Sequence, residues 1–522
     1  MKKFFIIQLM LMLCLVCKAD DRRLIIITFD GLRWQELFTG ADPDLIENGR
    51  YVGNPAALKK KYWRETPEER RKALMPFTWD YIVKNGYLIG NRNKGSQMQV
   101  ANKMNFSYPG YSENFCGYPD DKRINSNNPI PNPNVSVLEV ANKDKRYKGK
   151  VMVYGSWESI RYAVNNERGG FPGSVSYETN LSAKPNSTLK LIDEMLLGMP
   201  RYWGEERFDA FTYGYAVETL KQDHPKVMYI SFGDTDEWAH SGKYDFYLDA
   251  THGTDQFIRR IVETCEADPF YRGKTTYLLT CDHGRGYKGS FTSHGAGTKG
   301  SEDTWFMAFG KGVERLGETT YNGPFYNQQF AATIADVLGI DFTPTNGVKQ
   351  QPIDPHFKGE PLVDVEPFTV FGYFPAIEGV APAGSGVKYT YYEGEFESVD
   401  NMTSASAKGT GVLPTITIEK SKGTDHFGYI FDALLKIEKG GTYVLSCTSD
   451  DGSKVFVDGK MVINNDGSHG SSTEEAQMDL QQGFHRLQVK YFEDYEGEML
   501  EVGIEGQGVK AHRIPAEMLY HE

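Results

Sequence analysis

The sequence predicts an α/β domain with a mostly parallel sheet sandwiched between helices, followed by an all-β sandwich. Three observations predict this. The chain has 522 residues, whereas single hydrophobic cores stop growing near ~250–300 residues. Apolar runs alternate with helix-like stretches in the first two thirds. Short segments of alternating polarity, separated by Gly, Asn and Asp, fill the last quarter.

The α/β prediction rests on apolar, β-branched runs that are typical of strands buried on both faces. Such runs lie at residues 24–29, 150–154, 226–232 and 275–280. Residues 187–197 and 245–265 have the pattern of helices. Strands that alternate with helices in this way favour a parallel sheet.

Aspartates stand at the ends of three of these runs. They are Asp30, Asp234 or Asp236, and Asp282. A single aspartate there is more often the N-cap of the next helix. In open α/β sheets, however, ligands bind outside the carboxyl ends of the strands. Three aspartates at three strand ends therefore indicate a binding site.

The character of the chain changes after about residue 357, and residues 365–386 are rich in Pro and Gly. We predict an α/β domain over residues 20–364, a linker over 365–386 and a β-sandwich over 387–522. The last of these is expected because its segments alternate in polarity between turn residues.

The N-terminus predicts export. Met1-Lys2-Lys3 precedes an apolar run over residues 4–16, and Ala19 offers a cleavage site. This is the pattern of a secretory signal over residues 1–19, so we expect a periplasmic, cell-surface or secreted protein. An uncleaved anchor and a lipid-modified Cys17 are the less favoured alternatives. No other run reaches the ~18 apolar residues of a membrane span.

The net charge and the cysteine content exclude two further classes of protein, those that bind duplex nucleic acid and those built on a disulfide framework. Lys and Arg total 57 against 70 Asp and Glu, giving a formal net charge of −13, which argues against binding to duplex nucleic acid. Cys14 and Cys17 leave with the signal. The other four are Cys116, Cys265, Cys281 and Cys447. They are too few and too scattered for a disulfide framework, so we expect buried thiols with at most one bridge.

Four short motifs carry candidate chemistry, each weak alone. They are TFDG at Asp30, NFSYPGYSE around Ser107, DTDEWAH from 234 to 240, and CDHG with a following SHG from 281 to 295. Asp236 and His240 are spaced i, i+4, which places both on one helix face. Asp and His are ligands that suit zinc. Together, in this order and at strand ends, the motifs predict a metal site.

These residues resemble the alkaline phosphatase superfamily over residues 24–348. The family pattern is a first-strand Asp, a Thr or Ser nucleophile, Asp-x-x-x-His, Asp-His-Gly and a final His before a Gly. The resemblance implies two Zn²⁺ per chain and Ser107 as nucleophile. The implied ligands of one zinc are Asp30, Ser107, Asp282 and His283. The implied ligands of the other are Asp236, His240 and His294.

The segment SYPGYSENFCG resembles that of the phosphodiesterase branch, with Cys116 at its second Thr. That branch implies a downstream Asn on a phosphate oxygen, and both Asn127 and Asn128 fall at a suitable offset. The family's sulfatases need an Arg where this chain has Tyr111, which argues against sulfatase activity. No Arg matches the one near the nucleophile of well-known bacterial phosphatases. Arg33 and Lys103 are the possible substitutes.

The segment from residue 391 to 520 resembles the glycan-binding module named after the anthrax protective antigen. Its most telling stretch is TYVLSCTSDDGSKVFVDGKMVINNDGSHG. In some members an Asp-Asp pair helps to hold the calcium that binds sugar hydroxyls. Asp450 and Asp451 match that pair, with Asn465 nearby in sequence. The alternative is that both segments are hairpin turns.

The resemblances together imply a secreted two-metal phosphoester hydrolase whose second domain binds a glycan or cell-surface polymer. The substrate would be a phosphorylated glycan or a nucleotide. The Ser107 segment favours diesters. The short gap between His283 and His294 favours monoesters, so the choice stays open. The alternatives are a catalytically inactive glycan-binding surface protein and, less favoured, a sulfatase.

Overall fold

The computed structural model describes residues 22–359, 374–419, 421, 425–495 and 497–522. The predicted signal segment and residues 365–373 of the predicted linker lie outside the described residues. The chain divides into two compact units. The described parts of the first are residues 22–41, 56–286 and 292–359. The second takes in residues 42–55, 287–291 and the described residues from 374 onward.

An eight-stranded sheet runs through the first unit. In spatial order its strands are Gly317–Glu318, Gly86–Ile89, Phe306–Gly310, Thr275–Cys281, Arg23–Phe29, Val227–Phe232, Val151–Gly155 and Gly173–Val175. Phe306–Gly310 is antiparallel to both of its neighbours, and the other pairings are parallel. A smaller sheet joins Phe325–Tyr326, Met98–Gln99 and Asp303–Thr304.

The three central strands are buried along their whole length, which explains their continuous apolar runs. The helices of the unit are Trp34–Thr39, Pro55–Tyr62, Pro67–Leu74, Val83–Asn85, Ser107–Cys116, Val137–Lys143, Ile160–Val164, Asn166–Gly169, Ser187–Gly198, Asp209–Asp223, Asp234–His240, Tyr244–Ala267 and Phe330–Leu338. The predicted α/β domain is confirmed, because each of the four strands and two helices predicted in it is present within two residues of its expected bounds.

The second unit is built from two antiparallel sheets. The larger contains Gly384–Ser385, Leu519–His521, Phe427–Ile437, Gly483–Glu493, Ser453–Val457 and Lys460–Asn465, with Val387–Glu393 and Gly409–Leu413 paired beside them. The smaller contains Ser472–Leu480, Gly441–Ser449, Leu500–Gly506 and Val509–Ala511. Leu445 of the smaller sheet and Val489 of the larger lie in one core cluster, as in a sandwich.

Two expectations concern the rest of the chain. Cys116, Cys265, Cys281 and Cys447 are all buried and free, so the bridge that the sequence allowed does not form. Their small apolar side chains fill core positions instead. The longest described helix, Tyr244–Ala267, has 24 residues, and no helix of the described ranges is long and apolar enough to span a bilayer.

Candidate metal centre

Two aspartates leave adjacent strands at the carboxyl edge of the first sheet. Phe29, the last residue of the central strand, lies opposite Phe232 on one side and Cys281 on the other. Asp30 and Asp282 therefore emerge side by side. Asp30 is 4% exposed and Asp282 is fully buried. The parallel register thus brings together two carboxylates that are far apart in sequence.

The imidazole of His283 lies among three carboxylates. Its Nε2 is 3.3 Å from Asp30 Oδ1, 3.4 Å from Asp282 Oδ2 and 3.8 Å from Asp236 Oδ1. Its Nδ1 lies 2.8 Å from the backbone oxygen of Gly284. A proton on Nδ1 is donated to this carbonyl, so a metal ion that replaced the proton on Nε2 would meet the lone pair of that nitrogen.

The helix Asp234–His240 brings a third carboxylate and a second imidazole to the site. His240 Nε2 lies 3.0 Å from Asp236 Oδ2 and 2.9 Å from Nε2 of His294. His294 Nε2 is also 3.7 Å from Asp236 Oδ1. The loop after Asp282 therefore bends back and places His294 beside the helix. The two ring nitrogens are thus close enough to bind one shared ion.

Ser107 begins the helix Ser107–Cys116, which has ten residues. Its Oγ lies 3.2 Å from His283 Nε2 and 3.4 Å from Asp30 Oδ1, and its side chain is 5% exposed within the site. The N-terminus of a helix favours anions, because its first N–H groups have no partner within the helix. The hydroxyl thus lies between the candidate ligands and a position suited to a phosphate.

The two candidate asparagines differ in their contacts. The N–H of Tyr108 donates to Asn127 Oδ1 at 2.9 Å, so this side chain lies against the first turn of the Ser107 helix. The backbone N–H of Asn128 instead donates to Ser126 Oγ at 3.4 Å. Both asparagines are exposed. Of the two, Asn127 is therefore the one that lies next to Ser107.

Gly31 makes room for the centre. Its φ is +58°, and a Cβ there would lie 2.5 Å from Asp236 Oδ1 and 3.2 Å from a ring carbon of His283. Any other residue would be strained in this backbone conformation and would displace a candidate ligand. The glycine after Asp30 is therefore part of the site's construction.

Burial and mutual repulsion shape the charge of the carboxylates. Burial and the charge of Asp236 raise the pKa of Asp30, and burial and Asp30 hold the pKa of Asp282 well above its usual range. Burial also opposes the charge of Asp236, but Arg285 and then His240 hold its pKa well below normal. Burial and mutual repulsion therefore disfavour ionisation of Asp30 and Asp282 together with Asp236, and bound cations would offset that repulsion.

The histidines are affected in opposite directions. Burial opposes a charge on His283, yet Asp282 and the hydrogen-bonded Asp30 raise its pKa to about 9. Burial and the neighbouring His283 hold the pKa of His294 well below its usual value. His294 is therefore neutral at physiological pH, which is the form that binds metals.

The donors fit the implied metal. Two groups have ligand atoms within 4.8 Å of one another: Asp30, Asp282 and His283, and Asp236, His283 and His294. Asp282 Oδ2 is buried without a hydrogen-bond partner among the described residues, as expected of an atom reserved for an ion. A mixed set of carboxylate oxygens and imidazole nitrogens suits zinc.

Arg285 is a positively charged site residue that was not predicted from the sequence. Arg285 is fully buried, and its guanidinium pairs with Asp236 and donates to Thr292 O at 2.8 Å. Of the proposed substitutes, Arg33 pairs with Glu36 and donates to Gly286 O at 3.0 Å. Lys103 is exposed. The signal for Arg285 was its position two residues after His283 in CDHGRG.

Tyr111 stands at the position where sulfatases need an Arg. It is 1% exposed, and its hydroxyl donates to Asp30 Oδ2 at 3.1 Å. This hydrogen bond orients Asp30 toward His283 and Ser107. Tyr111 is a supporting residue that sequence reasoning noted only as a departure from the sulfatase pattern.

A second acidic group lies in the β-sandwich. Asp450, Asp451 and Glu493 bring carboxylate oxygens within 4.8 Å of one another. Glu493 is fully buried, and its Oε1 has no hydrogen-bond partner among the residues described. Burial raises the pKa of Glu493 to about 8, against the hydrogen bond from Tyr491. Glu493 was not among the residues predicted from the sequence.

Asp451 and Asn465 also stabilise the loops around this group. Asp451 has a φ of +57°, and its carboxylate accepts backbone N–H groups of His469, Asp494 and Tyr495 at 2.9, 2.7 and 3.2 Å. Asn465 Nδ2 donates to Ser449 Oγ at 3.0 Å. The turn after Ser449 therefore has a structural role, as the hairpin alternative predicts, beside any role in binding.

Comparison with known families assigns both units. Residues 210–339 match the model of the Metalloenzyme superfamily, and residues 384–512 match that of the PA14 domain. The first match spans all the candidate ligands from Asp236 to His294. The chain therefore contains an alkaline phosphatase-like metalloenzyme region and a C-terminal PA14 domain, and both resemblances are confirmed. No curated protein matches the chain.

Several solved structures are similar in part. An anti-sigma factor domain-containing protein is 19% identical over 26% of this chain, with a TM-score of 0.24, and the chain spans 48% of its length. Ps i-CgsB in complex with k-i-k-neocarrahexaose is 15% identical, with a TM-score of 0.39 and coverage of 63% and 74% of the two chains. The lipoteichoic acid synthase LtaP from Listeria monocytogenes is 12% identical, with a TM-score of 0.39 and coverage of 62% and 73%.

Proposed function

We propose that the first unit is a secreted or periplasmic two-zinc phosphoester hydrolase with Ser107 as its nucleophile. The observation that carries the proposal is the position of Ser107 Oγ. It lies within 3.4 Å of both Asp30 Oδ1 and His283 Nε2, at the start of a helix. A hydroxyl among metal ligands, beside a place for an anion, is what phosphoryl transfer to serine requires.

The residues would hold two ions in two neighbouring sets. Asp30, Ser107, Asp282 and His283 form the first. Asp236, His240 and His294 form the second. When bound, paired zinc ions supply Lewis acidity and lower the pKa of a coordinated hydroxyl.

The chain's own residues perform the remaining steps. Ser107 Oγ loses its proton and forms a bond to phosphorus, while the bond to the leaving oxygen breaks and that oxygen takes up a proton as the alcohol. Water then cleaves the bond between Oγ and phosphorus and returns the hydroxyl to Ser107, giving phosphate from a monoester or a phosphate monoester from a diester. Asn127 Oδ1 is engaged by Tyr108 N–H, which leaves its Nδ2 to donate to a phosphate oxygen. The backbone N–H of Ser107, the first residue of its helix, would stabilise the phosphoryl charge.

The substrate class is a phosphate monoester or diester, on a phosphorylated glycan or a nucleotide. Sulfate esters are disfavoured because Tyr111, which hydrogen-bonds Asp30, occupies the position where sulfatases need an Arg. The PA14 domain would hold the enzyme on a glycan or cell-surface polymer.

The test measures bound metal and hydrolysis together. The chain from Asp20 onward is purified, its zinc is quantified, and p-nitrophenyl phosphate, bis-p-nitrophenyl phosphate and p-nitrophenyl sulfate are compared. We expect two zinc ions per chain and turnover of one phosphate ester well above the sulfate. Ser107→Ala should reduce turnover by roughly 10³-fold or more while the protein stays folded.

Ser112→Ala is the matched control. Ser112 lies on the same helix, is 2% exposed and accepts a hydrogen bond from Asn132 at 2.9 Å, but it is not a candidate ligand. Its loss should leave turnover near wild type. Absence of turnover on every phosphate ester after zinc is restored would overturn the enzyme proposal and favour a glycan-binding surface protein.

We also propose that the PA14 domain binds Ca²⁺ through Asp450, Asp451 and Glu493. The unpartnered, buried Glu493 Oε1 favours this, because oxygen-only donors suit calcium. Calorimetric titration with Ca²⁺ should show one site that Glu493→Gln removes. An unchanged titration in that variant would contradict the proposal, and a glycan array with and without EDTA then tests sugar binding separately.

A further inference from the structure

Three further acidic side chains cluster in the first unit, outside the metal centre. Glu206, Asp209 and Asp234 each bring a carboxylate oxygen within 4.8 Å of the other two. Glu206 is 4% exposed and Asp209 is 1% exposed. Asp234 is half-buried. Carboxylates so close together and so shielded from water repel one another unless a proton or a cation lies between them.

Asp209 and Asp234 are the first residues of two helices, and their side chains connect the two helix starts by hydrogen bonds. Asp209 Oδ1 accepts Gly233 N–H at 2.7 Å and Ser156 Oγ at 2.6 Å, and its Oδ2 accepts Asp234 N–H at 3.2 Å. Asp234 Oδ1 accepts Asp209 N–H at 2.9 Å in return. A carboxylate offers about four acceptor sites, so both side chains keep capacity for a further ligand.

One oxygen of Glu206 indicates a bound ligand independently of the spacing of the three carboxylates. Its Oε1 is buried and has no hydrogen-bond partner within the described ranges. It lies so close to Gly233 that a Cβ there would be 1.7 Å away, which seats the carboxylate against the start of the helix Asp234–His240. A buried acceptor without a donor is costly unless something binds it.

No described Lys or Arg forms an ion pair with any of the three carboxylates. The nearest in sequence, Arg207, donates instead to Thr212 Oγ1, Ser174 Oγ and Glu178 O at 2.9 to 3.1 Å. The protein therefore does not itself supply the positive charge that this cluster needs.

We infer that Glu206, Asp209 and Asp234 bind a hard divalent cation of the Mg²⁺ or Ca²⁺ type. The donors are oxygens alone, which such ions prefer. Oxygen ligands at about 2.1 Å from Mg²⁺ or 2.3–2.6 Å from Ca²⁺ lie at most about 4 to 5 Å apart. The spacing of the three carboxylates agrees with that limit.

The position gives the ion a structural consequence. The cluster includes Asp234, the first residue of the helix that carries Asp236 and His240, and it also includes the first residue of the helix Asp209–Asp223. A bound cation would hold these two helix starts together and so position two of the candidate zinc ligands. The inference does not depend on the proposed hydrolase activity, because its test measures binding and stability.

The test uses the zinc-loaded full chain. Bound Mg²⁺ and Ca²⁺ are counted by equilibrium dialysis, and Tm is measured with and without each ion. We expect Glu206→Gln to lose one bound ion per chain and the accompanying rise in Tm. Glu205→Gln is the control, because Glu205 is the exposed neighbour of Glu206. This variant should keep the bound ion and the rise in Tm. Glu493→Gln should also keep this ion, which separates the cluster from the PA14 domain.

Equal ion binding by Glu206→Gln and the wild type would overturn the inference. So would a wild type without any response to either ion, since a shared proton would then explain the cluster. If Glu206→Gln does not fold, wild-type crystals soaked in MnCl₂ decide the matter. An anomalous peak between the three carboxylates supports the site, and its absence beside peaks at the zinc ligands contradicts it.

Discussion

The candidate metal centre of the first unit and the acidic group of the PA14 domain both contain buried carboxylates, but different groups surround them. In the first, Asp236 faces the imidazoles of His240 and His294 and the guanidinium of Arg285. In the second, Asp451 accepts three backbone N–H groups. Nitrogen donors from separate segments suit zinc chemistry, whereas backbone donors stabilise a loop.

Closeness of carboxylates alone therefore does not identify a catalytic site. Both groups have ligand atoms within 4.8 Å of one another. Among the described residues, only the group in the first unit adds imidazoles and a serine hydroxyl. We therefore expect substitutions in the first unit to act on metal content and turnover, and those in the PA14 domain to act on stability and calcium.

The largest effect is expected from His294→Ala. Its Nε2 lies 2.9 Å from that of His240, and its loss should remove one of two zinc ions and reduce turnover by roughly 100-fold or more. Metal analysis and p-nitrophenyl ester hydrolysis measure this. The matched control is His356→Ala, which removes an exposed histidine that contacts Glu314. Retention of both zinc ions by His294→Ala would break the comparison.

Gly31→Ala should have the next largest effect. The new Cβ would lie 2.5 Å from Asp236 Oδ1, so we expect weaker zinc binding and lower turnover. Gly273→Ala isolates the backbone cost, because Gly273 has a φ of +64° and nothing within 4 Å of its Cβ position. Both variants should lose about 1–2 kcal/mol of stability from the left-handed backbone, but only Gly31→Ala should lose metal. Equal zinc content in the two variants would contradict this reasoning.

Asp451→Asn should destabilise the PA14 domain by about 1–3 kcal/mol, because an amide cannot accept all three backbone N–H groups as the buried carboxylate does. Calorimetry in EDTA measures the loss without calcium. Asp450→Asn, at the partly exposed neighbour, should cost much less. Zinc content should not change in either variant, and a drop in zinc with Asp451→Asn would count against separate roles.

The last expected effect is a pH dependence of the stability that comes from Glu493. Its pKa is raised to about 8 in the folded protein, from 4.5. A raised pKa contributes stability that is fully present below pH 4.5 and is lost as pH rises through 8. We therefore expect the Tm of the PA14 domain, measured in EDTA, to fall between pH 5 and pH 8. The transition of this domain is the one that Asp451→Asn shifts to lower temperature. Glu493→Gln should flatten this slope, and an unaltered slope would show that another group is responsible.

Much of the fold was predictable because burial leaves a direct record in the residue pattern. Central strands must be apolar on both faces, so the run before Asp30 was recognisable without its neighbours. The order of Asp30, Ser107, Asp236 and Asp282 along the chain was equally readable. Their convergence followed from a general property of parallel sheets, whose carboxyl ends share one edge.

The remaining site residues depend on side-chain direction, which residue spacing does not record. Asn127 and Asn128 are adjacent in sequence, and only the contact with Tyr108 N–H distinguishes them. Arg285 could have pointed to solvent, but packing turns it onto Asp236. Glu493 and Glu206 gave no motif at all. Pattern and order along the chain therefore predicted the fold and the principal candidate ligands, whereas packing in three dimensions decided which polar groups meet, because a contact is set by distance in space and not along the chain.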